Sequence, residues 1–77
     1  MKFNLVKNYS FEWLSFNMIG KTVQFISDCE LFPNFNVTIK ISSIYLNNNE
    51  IIFQGIVKNR KDFKIGANMK NLRFKIL

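Results

Sequence analysis

The chain has 77 residues, a formal net charge of +6 and no histidine, and 48 % of its residues are hydrophobic. This length predicts one domain with a small core, and nine Phe residues supply the apolar area that such a core needs. A single Cys excludes an internal disulfide, and the lack of His excludes Cys/His zinc sites.

The first predicted element is a short helix over residues 10–19. Ser10 is a good N-cap, and Gly20 suits the position after the last turn. The residues at helical spacing on one stripe are Phe11, Leu14 and Met18, and those that widen the apolar surface are Trp13, Phe16 and Ile19. A strand through Phe11 and Trp13 is the alternative, because short apolar runs fit both periods.

The rest of the chain alternates with the period of two that is typical of β-strands. It predicts strands at about 21–27, 35–46, 50–58, 62–66 and 71–77, with a loop over 28–34 that holds the only proline, Pro33. The apolar phase slips after Ser42-Ser43, which indicates a bulge or a sharp bend. Gly55 is expected at a bulge or a point of close approach. The expected turns are Asn47-Asn48-Asn49 and Asn59-Arg60-Lys61-Asp62.

These elements predict a mainly β fold, a small five-stranded barrel of SH3-like or OB-like type with one short N-terminal helix. The alternative is an α+β arrangement in which the helix packs on an open antiparallel sheet. Ile52 and Ile56 make the 50–58 strand apolar on both faces. We expect the helix to cover the second face, because Trp13 and Leu14 need a surface to pack on; the alternative is that this face lies in an interface.

The sequence lacks the residue patterns that are typical of catalysis. Histidine, the most frequent general acid or base, is absent, and Cys29 has only the carboxylates of Asp28 and Glu30 beside it, which weaken a thiol as a nucleophile. The three glycines are far apart, so no Gly-rich phosphate loop is present. We therefore expect a protein that is not an enzyme and that uses no cofactor and no metal.

The expected cellular location follows from segments that the sequence lacks, and the expected source from its composition. The chain has no apolar stretch of signal-peptide length at its start and no run of about 20 apolar residues that could span a bilayer, so we expect no membrane association. Its richness in Asn, Lys, Ile and Phe is typical of AT-rich coding DNA. This composition indicates a cytoplasmic protein of a low-GC bacterium or of one of its phages.

Charge is the most informative feature of the sequence. Residues 1–50 carry four Lys and four acidic residues, whereas residues 51–77 carry seven cations against Asp62 alone. The whole net charge therefore lies in the last third of the chain. Strand alternation turns Lys64, Arg73 and Lys75 outward, away from the Phe and Ile residues beside them. If these strands pair with 50–58, the cations form one basic face.

The predicted function is a non-catalytic module that engages nucleic acid, a nucleoprotein or an acidic protein surface. The predicted partner-binding residues are Lys58, Arg60, Lys61, Lys64, Arg73 and Lys75, with Tyr45 and Phe63 as aromatic platforms for bases. The alternative is a phage- or mobile-element-encoded inhibitor or adaptor, of anti-CRISPR-like or anti-restriction type, that acts by protein–protein contact. The other interpretation of the basic face is that it only keeps a Phe-rich chain soluble. The sequence leaves the oligomeric state open.

Overall fold

A computed structural model describes residues 2–28, 31 and 34–77 of the chain. The elements within them are β1 (Asn4–Leu5), a 3₁₀ turn (Val6–Asn8), α1 (Phe11–Met18), β2 (Thr22–Ser27), β3 (Phe35–Asn47), β4 (Glu50–Val57), β5 (Arg60–Gly66) and β6 (Arg73–Ile76). The mainly β class with one short helix is confirmed. Cys29, Glu30 and Pro33, which belong to the predicted loop, lie outside the described residues. The described helical segments include none that is long and apolar enough to cross a bilayer.

The strands form one antiparallel sheet in the order β1-β6-β2-β3-β4-β5. It has six described strands instead of the five predicted, because residues 4–5 add a short edge strand. This strand pairs Asn4 with Phe74 and Leu5 with Arg73. A closed barrel would need β6 to pair with β5. Part of that edge of β6 is paired with β1 instead, and the sheet stays open.

The helix forms where its capping residues predict it, and the alternative strand through Phe11 and Trp13 is wrong. The Trp13 backbone N–H donates to Ser10 Oγ at 3.1 Å, which satisfies one of the free N–H groups of the first turn. Gly20 follows the helix with φ +84, a value that L side chains rarely adopt. Leu14 and Met18 are fully buried.

Two predicted backbone irregularities are present in the β3–β4 hairpin. The register shifts between Ile41 and Ser43, where the apolar phase slips. Asn48 and Asn49 both have positive φ, as the two-residue turns favoured in hairpins require. These features bend the long strand β3, so that its two ends contribute to one curved sheet.

The β4–β5 turn lies two residues earlier than predicted. β4 ends at Val57 and β5 begins at Arg60, so Lys58 and Asn59 form the turn instead of Asn59 to Asp62. Asp62 adopts φ +61 inside β5, where the register with β4 shifts. A polar strand that contains a bulge resembles a turn in composition, which explains the difference.

The core lies on one face of the sheet, which we call the inner face. Its largest fully buried side chains on the sheet are Phe25, Phe53 and Phe74. The rings of Phe25 and Phe53 pack at 5.0 Å between centroids. Leu14 and Met18 of α1 belong to the same cluster, so the helix covers the inner face.

The prediction that the helix covers Ile52 and Ile56 is wrong. Both alternate along β4 with the buried Phe53 and therefore lie on the opposite face, which we call the outer face. Ile56 keeps 45 % of its surface exposed. The physical reason is that the inner face carries the large aromatic side chains, and one short helix covers only one side of a sheet.

Candidate functional site

The outer face of the sheet carries four cations on three strands. Lys75 and Arg73 lie on β6, Lys40 on β3 and Lys64 on β5, each between inward-facing neighbours. Lys40 and Lys64 are exposed, and the two cations of β6 are half-buried. The polar residues between them include Gln24, which pairs with Lys75 across β2 and β6, and Gln54, which pairs with Lys64 across β4 and β5.

The six cations predicted as one face fall into two groups. β6 pairs with β2 and β1, and not with β4, so Arg73 and Lys75 lie four strand positions from Lys64. Four strand spacings correspond to roughly 19 Å along the sheet. The single basic face required both C-terminal strands to pair with the 50–58 strand. This pairing is present for β5 and absent for β6.

Lys40, which the sequence analysis did not include, lies between the two groups. It is two strands from Lys64 and two strands from the cations of β6, roughly 10 Å in each direction. The Debye length at physiological salt is about 8 Å, so charges at this spacing are largely screened from one another there, and they reinforce one another only at lower salt. The alternation of β3 predicts that Lys40 lies on this face, but the net charge of residues 1–50 is zero and does not single it out.

The remaining predicted cations form a rim at the β4–β5 hairpin. Lys58, Arg60 and Lys61 are exposed, and the Arg60 guanidinium carbon lies 5.6 Å from the centroid of the Phe63 ring. None of the described Lys and Arg residues forms an ion pair with a described carboxylate. No cation of this rim is therefore paired at contact distance with a described carboxylate, although Asp62 directly follows Lys61 in the chain.

Two of the described carboxylates lie on the outer face, and both accept hydrogen bonds from uncharged groups. Asp62 Oδ1 accepts from Gln54 Nε2 at 3.1 Å, and Glu50 Oε2 accepts from the Asn68 backbone N–H at 3.0 Å. Glu50 is the first residue of β4, so it lies at the end of the strand far from the β4–β5 turn and its cations. The face with its rim keeps an excess of positive charge.

The two predicted aromatic platforms differ in orientation. Tyr45 is half-buried on the outer face, opposite Ile52. Phe63 points inward and packs against the core, and Arg60 lies over its ring. Only Tyr45 therefore lies on the same face as Lys40 and Lys64.

Within residues 2–28, 31 and 34–77, no group of three His, Cys, Asp or Glu side chains is placed to hold a metal ion. The polar groups of the outer face are amides, hydroxyls and cations, together with the carboxylates of Asp62 and Glu50. Comparisons with protein-family models, curated proteins and solved structures give no match to this chain.

Proposed function

We propose that this protein is a non-catalytic module that binds nucleic acid through the outer face of its sheet, in the cytoplasm of a bacterium or of a phage-infected bacterial cell. The observation that carries the proposal is the set of cations on this face and its rim: Lys40, Lys58, Arg60, Lys61, Lys64, Arg73 and Lys75. The cations of the outer face lie opposite the helix, and none of the seven forms an ion pair with a described carboxylate. A surface of this charge attracts a polyanion.

The contacts would be made mainly to phosphates and would therefore be independent of base sequence. Lysine and arginine supply the charge, while Gln24 and Thr38, which pair across β2 and β3, offer hydrogen-bonding groups between the cationic rows. Gln24 Nε2 already donates to Asn36 Oδ1 at 2.9 Å, so this amide is held in one orientation. Such a face supports binding and release of a strand and performs no chemistry on it.

The test is fluorescence anisotropy of labelled oligonucleotides over a series of salt concentrations. Phosphate binding predicts a linear fall of log K with log salt, with a slope of about −0.7 per contact for a single strand. The double variant Lys40→Glu/Lys64→Glu should reduce the slope by about 1.4 and weaken binding strongly at low salt. The matched control is Lys7→Glu/Lys70→Glu, which makes the same change in net charge on exposed residues outside the sheet.

The comparison between the two double variants shows whether a loss of affinity comes from the outer face itself or from the lower net charge of the protein. Equal losses of affinity would mean that only the overall charge matters, and the outer face would then be a solubility device. Retained affinity in both variants, with little response to salt, would exclude phosphate contacts altogether.

The exposed apolar residues of α1 favour a second candidate, an inhibitor or adaptor that acts by protein–protein contact. Phe16 is 89 % exposed, and Ile19 is 45 % exposed at the end of the same helix. Large apolar side chains left in water are typical of contact surfaces when they cluster. This candidate predicts binding to a protein that changes little with salt and that is lost in the Phe16→Glu variant.

A further inference from the structure

A groove of about 310 Å³ opens beside β6, at the edge that β1 leaves free. β1 pairs with Phe74 and Arg73 only, so the edge of Lys75 and Ile76 has no neighbouring strand among the described residues. The lining of the groove contains the aromatic side chains of Tyr9 and Trp13 and the cations of Lys2 and Lys75, and none of the described carboxylates belongs to it.

Trp13 is held in place in this groove by its neighbours. Its ring lies 4.5 Å from the Tyr9 ring, which in turn contacts the buried Phe74 edge-on at 5.2 Å. Ser10 Oγ accepts from the Trp13 backbone N–H, and Asn17 Nδ2 donates to the Trp13 backbone carbonyl at 2.8 Å, so the backbone that carries the ring is fixed. Trp13 keeps 38 % of its surface exposed. A fixed, partly open ring loses little conformational entropy when a second ring stacks on it.

Lys75 connects the groove to the outer face. It lies on the outer face beside Gln24, and it also lines the groove. Its Nζ lies 4.9 Å from the centroid of the Phe3 ring, so the ammonium group is positioned at the edge of the sheet. A polyanion on the outer face can therefore continue over Lys75 into the groove.

We propose that this groove binds one unpaired nucleobase of single-stranded nucleic acid, with Trp13 as the stacking surface and Lys2 and Lys75 as contacts for the adjacent phosphates. An aromatic ring next to two cations matches the chemistry of a nucleotide, which joins a planar base to an anion. The volume lies at the lower end of the range for small-ligand sites. A duplex fits poorly, because its bases are already stacked on one another. The inference rests on the proposed function and specifies that the nucleic acid is single-stranded.

The experiment uses Trp13 as its own reporter, because the chain contains a single Trp. The intact protein is titrated with oligothymidylate, with the matched DNA duplex and with inorganic polyphosphate, while anisotropy and Trp fluorescence are recorded. We expect the single strand to bind and to quench Trp fluorescence. We expect polyphosphate to bind the outer face without quenching, because it has no base to stack.

The outcomes distinguish this inference from the proposed function. Binding of the single strand without quenching would overturn the nucleobase site and leave the outer face as a polyanion surface. Equal quenching by polyphosphate would also overturn the site, since stacking would not be the cause. An absence of binding to all three probes would overturn both proposals.

Variants of two aromatic residues on the same helix provide the second measurement. Trp13→Leu should weaken binding of the single strand by about ten- to a hundred-fold and leave the salt slope unchanged, because it removes stacking and keeps the phosphate contacts. The matched control is Phe16→Leu, which removes a more exposed ring that does not line the groove. Trp13→Phe keeps an aromatic surface and should recover part of the affinity. An equal loss in Trp13→Leu and Phe16→Leu would contradict the groove.

Discussion

Gly55→Ala adds only one methyl group, and we expect it to lower the free energy of unfolding strongly. Gly55 lies on β4, paired with Ile41 of β3 directly beside the bulge. A Cβ added there would overlap the Lys40 carbonyl oxygen and lie 2.8 Å from the Lys40 carbonyl carbon, where ordinary contact begins at 3.4 Å. Both atoms belong to the backbone of β3, so no side-chain rotation can relieve the overlap. The two strands must separate.

The expected loss of stability in Gly55→Ala can be compared with that in Gly20→Ala. Overpacking in a tight region typically costs about 1–3 kcal/mol, and a backbone clash between two central strands belongs at the upper end, about 3 kcal/mol. Gly20 has open space around its Cβ position but φ +84, so Gly20→Ala incurs only the conformational cost of about 1–2 kcal/mol. A domain of this size has a free energy of unfolding of about 5 kcal/mol.

Urea unfolding followed by Trp13 fluorescence measures both variants. With a slope of about 1 kcal/mol/M, Gly55→Ala should lower the midpoint by about 3 M and Gly20→Ala by about 1–2 M. The slope itself should not change if unfolding stays two-state. A Gly55→Ala midpoint equal to or above that of Gly20→Ala would refute the close approach of β3 and β4 at Lys40.

Two further stability measurements test the core and the helix start. Phe53→Ala should lower the free energy of unfolding by about 3–5 kcal/mol, because it empties a fully buried site against Phe25; a variant that unfolds at the parent midpoint would contradict this core. Ser10→Ala should cost about 1 kcal/mol, because it removes the acceptor of the Trp13 backbone N–H, while Ser43→Ala on β3, which removes a hydroxyl that bonds to no described residue, serves as a comparison; equal midpoints for the two variants would show that the cap contributes nothing.

The sequence by itself determined the helix, five of the six described strands and the faces of those strands, whereas the edge strand β1 and the position of the β4–β5 turn did not follow from it. Period-two alternation and turn residues are local signals, so the phase slip at Ser42-Ser43, the Asn turn and the close approach at Gly55 were readable without a partner strand. The cap at Ser10 and the glycine at position 20 likewise marked the ends of the helix. The outward direction of Lys64, Arg73 and Lys75 followed from the same alternation.

Only the tertiary structure decided which strands are neighbours and therefore which charges act together. The order β6-β2-β3-β4-β5 separates Arg73 and Lys75 from Lys64 and places Lys40 between them, although they are far apart in the chain. The packing of α1 on the inner face brings Trp13 next to Lys75 and leaves Ile56 in solvent. Alternation specifies the face of a side chain, whereas pairing is set by long-range contacts that no local pattern encodes.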